Sequence, residues 1–411
     1  MLFYYYVNNF VSIFLEHFYN FKKMDKFEFI NAFGKLVEVN DKKYGDFFTF
    51  VPSKLPPQLD FDKKVINALS RADSTLSKLS GAGLFLSNPN LLVTPYMKKE
   101  AISSSRIEGT QISLSEFFLQ ELENESNNSH DALEVNNYMR ALNYGLKKIK
   151  TQNITVKLIR EMHKILLIDV RGNDKSPGSF RDVQNWIGIP GSLPQEAKFV
   201  PPPVGEVERL LNELIDYINT YDEIPLLIKC ALIHYQFETI HPFCDGNGRI
   251  GRVLITLYLI KKNKISKPLL YLSAFFERYK SMYCQLLLNA NSDSKFIDWI
   301  FFFLNAIRVQ AEDALDKTIQ IQTLREQYRG KIQAESQNIQ LLLIIDNLFI
   351  NPYVGIKNVQ KIVDVTFPTA KKLVDKLVDM GILKLRIKGK KRSKIYVAYE
   401  ILEIIELKYY N

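Results

Sequence analysis

Cysteine is scarce in this 411-residue chain: Cys230, Cys244 and Cys284 are all it has, and no two form a Cys-x-x-Cys pair. That usage excludes a disulfide framework and a structural zinc site built on such pairs, and it fits a reducing cytoplasm. A membrane-spanning run is also missing. The aromatic-rich opening from Met1 to Phe21 is interrupted by Asn8, Asn9, Ser12, Glu16 and His17, which makes it too polar to span a bilayer. It also lacks the basic region and small-residue cleavage site of a signal peptide. More ordinary sequence begins at Met24-Asp25-Lys26, so residues 1–30 read as an extension with Met24 as the expected start of translation. Glycine and proline are absent from Ala311 to Ser336 apart from Gly330, so this polar stretch reads as a helical linker, 311–336.

What is present is apolar residues at helical spacing. With 46% hydrophobic residues the chain can bury a large core in more than one domain. The spacing predicts helices over Val65–Leu79, Ala132–Ile149, Val156–Leu167, Val207–Tyr221, Leu226–Ile240, Val253–Ile260 and Phe296–Ile307, with a turn at Leu55-Pro56-Pro57. The fold class expected is mainly α, with a helical amino-terminal region over 31–122 and a core over 123–310.

The twelve residues from His241 to Arg252, HPFCDGNGRIGR, concentrate the chemistry. Gly246 and Gly248 permit backbone angles closed to other residues, so several N–H groups can converge at the start of the next helix and attract an anion. Arg249 and Arg252 in a first helical turn face the positive end of the helix dipole, costing roughly 0.3–1 kcal/mol each, a penalty that a bound polyphosphate reverses. Three residues apart, they share a face and each can grip phosphate oxygens in bidentate fashion. Asp245 is a hard oxygen ligand suited to Mg2+, which needs only one or two protein carboxylates. His241 is the residue able to accept a proton near neutrality. Singly, each residue has a bland explanation: an N-cap, a turn, a core histidine, salt-bridge partners. Their crowding into twelve positions does not.

At His241, Phe243, Asp245, Gly246, Asn247, Gly248, Arg249 and Arg252 the chain resembles the Fic family, whose motif is His-x-Phe-x-(Asp/Glu)-Gly-Asn-Gly-Arg-x-x-Arg. The resemblance implies a Fic-type helical core and transfer of AMP from ATP to a Ser, Thr or Tyr hydroxyl of a target protein or of the chain itself. It implies His241 as base, Asp245 as the Mg2+ ligand and Phe243 as the loop's anchor. It further implies Asn247, the glycine amides and Arg249 on the phosphates, with Arg252 on the γ-phosphate. The related Doc-type kinases carry alanine and lysine where Gly246 and Gly248 stand, so nucleotidyl transfer is favoured over phosphorylation, with transfer of another phosphate-containing group left open. Cys244 occupies a position the motif leaves free and reads as filler. Tyr279, Tyr283 and Glu277 lie where the family lines its nucleotide pocket.

Upstream, Ser104, Glu108 and Gly109 match the family's inhibitory motif, (Ser/Thr)-x-x-x-Glu-(Gly/Asn). Alone they are a common capping pattern. Paired with Arg252, Glu108 would place negative charge where the γ-phosphate belongs. Between the two motifs, Pro177–Gly188 and Ala197–Pro203 flank turn-forming residues 189–196, which reads either as a surface loop or as the β-hairpin flap of Fic proteins, where an extended target pairs with a strand edge.

The segment 337–411 reads as helices followed by strands at Leu383–Ile387 and Ile395–Tyr399, joined by the basic turn Lys388–Arg392. It resembles a winged helix-turn-helix, with Thr369, Lys371, Lys372, Lys390, Lys391 and Arg392 as the expected DNA contacts, though such modules also dock to proteins. The net charge of +9 suits a polyanion without choosing one. The alternative function is an ATP-sensing, DNA-binding transcription regulator. The partners expected are a hydroxyl-bearing protein, the chain itself, DNA and a second copy in a homodimer, with no membrane.

Overall fold

The computed structural model describes residues 29, 32–84, 90–122, 129–189, 191–335, 338–386 and 394–406; residues 1–28, with Met24, and the turn Lys388–Arg392 lie outside them. The chain is mainly helical. It opens on a hairpin, β1 (Gly34–Asp41) and β2 (Gly45–Pro52), paired antiparallel from Gly34 opposite Pro52 to Asp41 opposite Gly45. Helices α1 (Lys63–Leu84), α2 (Asn90–Ile107), α3 (Leu114–Leu122), α4 (His130–Lys148) and α5 (Val156–Leu166) follow. After a long loop come α6 (Val207–Asn219), α7 (Leu226–Ile240), α8 (Asn247–Lys261), α9 (Ser273–Arg278), α10 (Lys280–Ser292) and α11 (Phe296–Glu335). The carboxy-terminal module is α12 (Ile339–Ile350), β3 (Tyr353–Gly355), α13 (Ile356–Val363), α14 (Phe367–Asp379), β4 (Lys384–Leu385), β5 (Ile395–Val397) and α15 (Tyr399–Glu406), its antiparallel sheet ordered β3-β5-β4.

Helix α7 is apolar nearly all round, and burial follows: from Leu227 to Ile240 only Glu238 is not fully buried. It packs against α8, α6 and α11, and Trp299 Nε1 on α11 donates to the Ala231 carbonyl at 3.0 Å. The helices that frame this pair start where hydroxyl caps allow: Ser129 accepts from the Ala132 N–H and Thr155 from the Leu158 N–H. Gly145 lets α4 approach its neighbours closely, because a Cβ there would lie 2.6 Å from Met162 Sδ and 2.8 Å from Leu257 Cδ1.

The structure revises four expectations. The amino-terminal region is not helical throughout: Val37 and Val39 pair across from Thr49 and Phe47 in the hairpin, and Tyr44 packs edge-on to Trp186 at 5.1 Å. Residues 311–335 are no linker but the second half of the 40-residue α11, because Ala311, Ala314, Ile321, Leu324, Tyr328 and Ile332 continue its buried stripe. The loop over 177–203, left open between a surface loop and a flap hairpin, has among the described residues one antiparallel bridge, Ile187 with Phe199, backed by β2 through Phe50 N–H to the Val200 carbonyl at 2.9 Å. The carboxy-terminal module gains β3 and α15, short elements whose partners are distant in sequence. Among the described residues no helix is long and apolar enough to cross a membrane.

Gly145→Ala should push α5 and α8 away from α4 and cost about 1–3 kcal/mol by overpacking. Denaturant unfolding should show a lower midpoint at unchanged slope; an unaltered midpoint would mean that the three helices have slack there.

Candidate active site

Helix α7 ends at His241, whose φ of 48° and ψ of 61° are left-handed, an uncommon conformation for a residue with a Cβ. The loop then re-enters helix at Gly246, φ 78°, and α8 starts with no side chain capping it. The first N–H groups of α8 thus lack both intrahelical and side-chain acceptors, an anion-binding arrangement. Asn247 closes the loop on itself, its Oδ1 accepting from Phe243 N–H and its Nδ2 donating to the Phe243 carbonyl, both at 2.8 Å. Its side chain is therefore committed within the loop, and what it offers a phosphate is its main-chain N–H.

His241 Nδ1 lies 3.2 Å from the Glu238 carbonyl, an acceptor, so that nitrogen carries the proton and Nε2 keeps its lone pair in the neutral ring. Burial lowers the imidazole to about 4, against the pull of that carbonyl. His241 is neutral at physiological pH.

Arg252, only 2% exposed, is held three times over: Nε to Ser104 Oγ at 2.7 Å, Nη2 to the Ser104 carbonyl at 2.9 Å, and Nη2 to Glu108 Oε1 at 2.6 Å. Burial alone would raise the Glu108 carboxyl, but the Arg252 guanidinium outweighs it and leaves the carboxyl below its ordinary range. Burial likewise opposes the charge on Arg252, and Glu108 more than compensates. Gly248 is what lets the two meet, since a Cβ there would collide with Glu108 Oε1 and come within 2.8 Å of Arg252 Nη1. The expected pairing of Ser104, Glu108 and Arg252 is thus the geometry observed, with Gly109 leaving the helix at φ 105°.

Arg249 is fully buried, reaches Asp245 Oδ1 at 3.2 Å and stands 3.9 Å from Glu134 Oε2; its Nε and Nη1 have no hydrogen-bond partner. Asp245 Oδ1 also accepts from Gly246 N–H, so Oδ2, which lies over Gly172, is the oxygen open to a cation. No cluster of three or more His, Cys, Asp or Glu side chains suits a metal among the described residues. One carboxylate with a phosphate beside it fits Mg2+, which keeps most of its waters.

Four residues escaped the sequence reading. His163, buried on α5, stacks on Phe243 at 3.7 Å and 6°, accepts from Gly178 N–H and so presents Nε2–H to the Asp245 carbonyl at 2.8 Å. Burial lowers it to about 4. Arg181 donates from Nε to the His241 carbonyl at 3.0 Å, and Asn185 from Nδ2 to the Phe243 carbonyl at 3.0 Å, which ties the 177–203 loop to the loop between α7 and α8. Glu238 is pushed up to about 7 by burial, with Arg252 opposing and Glu108 adding to the shift, and its Oε1 has no hydrogen-bond donor. A polar residue inside an apolar helical stripe was the available signal for His163; Arg181 and Asn185 left none. Of the expected pocket residues, Tyr283 meets His234 Nε2 at 2.7 Å, Tyr279 packs on Phe275, and Glu277 stands 3.6 Å from Arg106.

Residues 66–147 match the Fic/DOC family N-terminal region and residues 153–259 the Fic/DOC family. A 70-residue stretch, 17% of this chain, is 37% identical to a probable protein adenylyltransferase of Aquifex aeolicus, and a 127-residue stretch, 30% of the chain, is 30% identical to a protein adenylyltransferase of Caenorhabditis elegans. Each stretch spans 22% of the relative's length. A Fic family protein from Desulfovibrio desulfuricans has a similar fold, with a TM-score of 0.54 at 17% identity over 84% of this chain and 98% of that one.

Folded His163 and His241 sit near 4 against an ordinary 6.5, so the unfolded chain binds more protons between those values. Stability fully present above pH 6.5 should be lost as the pH falls toward 4. Thermal melts of wild type against His163→Gln check this: the variant should lose less melting temperature between pH 7 and 4.5, and equal slopes would mean His163 is not held neutral. Asn247→Ala, which strands the Phe243 N–H and leaves its carbonyl to Asn185 alone, should cost about 1–3 kcal/mol in urea unfolding.

Proposed function

Because this chain carries the Fic/DOC family N-terminal region at residues 66–147 and the Fic/DOC domain at 153–259, we propose that it is a protein adenylyltransferase. It moves AMP from ATP to a Ser, Thr or Tyr hydroxyl of a target protein or of itself, and is held off by Glu108. The observation that carries this reading is the 2.6 Å Glu108–Arg252 contact, made beside an uncapped helix start and a neutral histidine.

His241 Nε2 takes the proton of the incoming hydroxyl, whose oxygen attacks the α-phosphorus while the bond to the bridging β-oxygen breaks and pyrophosphate leaves. The proton gained is shared with no carboxylate, since Nδ1–H stays on the Glu238 carbonyl. Main-chain N–H groups of Asn247 and Gly248 donate to phosphate oxygens, and Arg249 offers the buried Nε and Nη1 that have no hydrogen-bond partner. Asp245 Oδ2 would hold Mg2+, which when bound neutralises charge building on the phosphates. Arg252 is the partner for a γ-phosphate, and Glu108 occupies it first. ATP and Glu108 therefore compete for one guanidinium.

Exposure of Thr369, Lys371 and Lys372 along α14, with Ala370, Leu373 and Val374 buried beneath, supports a second role for the 338–406 module as a winged helix on DNA. Lys390, Lys391 and Arg392 of the expected wing lie outside the described residues.

Label from α-labelled ATP with Mg2+ should reach protein strongly in Glu108→Gly, weakly in wild type and not at all in Glu108→Gly/His241→Ala. Label from the γ-position instead would make the chain a kinase. The acid limb of the Glu108→Gly rate should fall well below pH 6.5, because removing Glu108 removes a charge that raises His241. For DNA, Lys371→Glu/Lys372→Glu should weaken binding at low salt and flatten its salt dependence by roughly two units; no retention of wild type on any duplex would retire that role.

A further inference from the structure

Helix α2 ends at the inhibitory glutamate, and its contacts divide between the catalytic core and the carboxy-terminal module. Tyr96, Glu100, Ser104 and Glu108 recur every four residues along one side. Toward the core, Glu100 accepts from Ser273 N–H at 3.0 Å and Tyr138 at 3.2 Å, and Ser104 and Glu108 hold Arg252. Toward the module, Lys98 Nζ donates to the carbonyl of Ile350, the last residue of α12, at 3.4 Å, and Lys99 Nζ to that of Ile405 on α15 at 3.3 Å.

The same module grips the chain again just beyond the glutamate. Helix α3 begins at Leu114, and its Phe118 is fully buried in a small cluster completed by Tyr353, Val397 and Leu402, all from the module. Asn351 Nδ2 adds bonds to the Phe118 carbonyl at 2.9 Å and to Glu121 Oε2 at 3.2 Å, and that carboxylate also holds Lys98 at 2.7 Å. Residues 108–113 therefore span two anchorages on one body. Local bonds also restrain them: Arg171 to the Glu108 carbonyl, Thr110 to Glu134 and Arg106 to the Ile112 carbonyl. The Glu108 side chain itself is 33% exposed, against 2% for Arg252, so packing holds it less firmly than the arginine it blocks.

We propose that the carboxy-terminal module clamps the inhibitory segment: its docking on α2 and α3 keeps Glu108 on Arg252, and loosening it opens the ATP site. The proposal rests on the adenylyl transfer argued above and names its regulation. Coupling of this kind is reciprocal, so freeing Arg252 must in turn loosen the module. The clamp is built from apolar burial at Phe118 and bonds to main-chain carbonyls, which yield as a unit when the surfaces part.

The test uses the full chain. Label transfer from α-labelled ATP is compared in wild type, Phe118→Ala, Asn351→Ala, Glu108→Gly and Phe118→Ala/Glu108→Gly. Phe118→Ala should raise transfer roughly fivefold or more, Asn351→Ala should raise it less, and the double variant should match Glu108→Gly. Wild-type transfer in both interface variants while Glu108→Gly is active, or additive gains in the double variant, overturns the clamp. A silent Glu108→Gly overturns the adenylyl-transfer reading instead. Hydrogen exchange decides the clamp without catalysis and without an interface variant that must fold: protection over 114–122 and 395–406 should fall in Glu108→Gly relative to wild type. Unchanged protection there overturns it.

Discussion

One buried guanidinium organises this molecule. Arg252 sits at 2% exposure on α8, and a lone charge taken that far from water would cost several kcal/mol. Something anionic must face it. In this conformation the counter-ion is Glu108, brought from the end of a helix 144 residues earlier in the chain. Under the proposed function, Glu108 and a bound triphosphate would be two solutions to one desolvation problem, and the protein carries the first solution with it. Gly248 serves both, because the space it leaves is what Glu108 Oε1 enters.

Around that pair the histidines are held uncharged. His163 and His241 are both pressed to about 4 by burial; His163 commits both ring nitrogens to main-chain groups and His241 commits Nδ1. The loop from His241 to Gly246 is held through its main-chain groups: Asn247 and Asn185 on Phe243, Arg181 on His241, His163 on Asp245. Main-chain bonds of this kind do not respond to the arrival of a polyphosphate. The charged groups Arg249, Arg252, Glu108 and Asp245 pair with one another's side chains instead.

Much of the site was legible because it is contiguous. His241 to Arg252 lie in twelve residues whose turn chemistry and helix start are local properties, so residue types and spacing suffice to infer them. Glu108 was legible only as a capping pattern until a distant arginine gave it a partner. His163 looked like one more member of a helical stripe, and its role depends on a ring stacked on Phe243, eighty residues away. The amino-terminal hairpin was missed because its support comes from Trp186 and Val200, far along the chain. The division of α11 into helix and linker was misplaced because its second half is polar on the outside while its buried stripe runs on unbroken.

Sequence by itself determined the helical class, the position of most core helices, and the set of groups available for chemistry, since these follow from periodicity, glycine and proline placement, and residue type within one turn or loop. Tertiary structure decided which groups meet: Glu108 with Arg252, the loop over 177–203 with the turn after His241, and the carboxy-terminal module with the chain on both sides of Glu108. The reason is that pairing across a hundred residues depends on how helix faces stack and what space glycine leaves between them, and no local spacing rule encodes either.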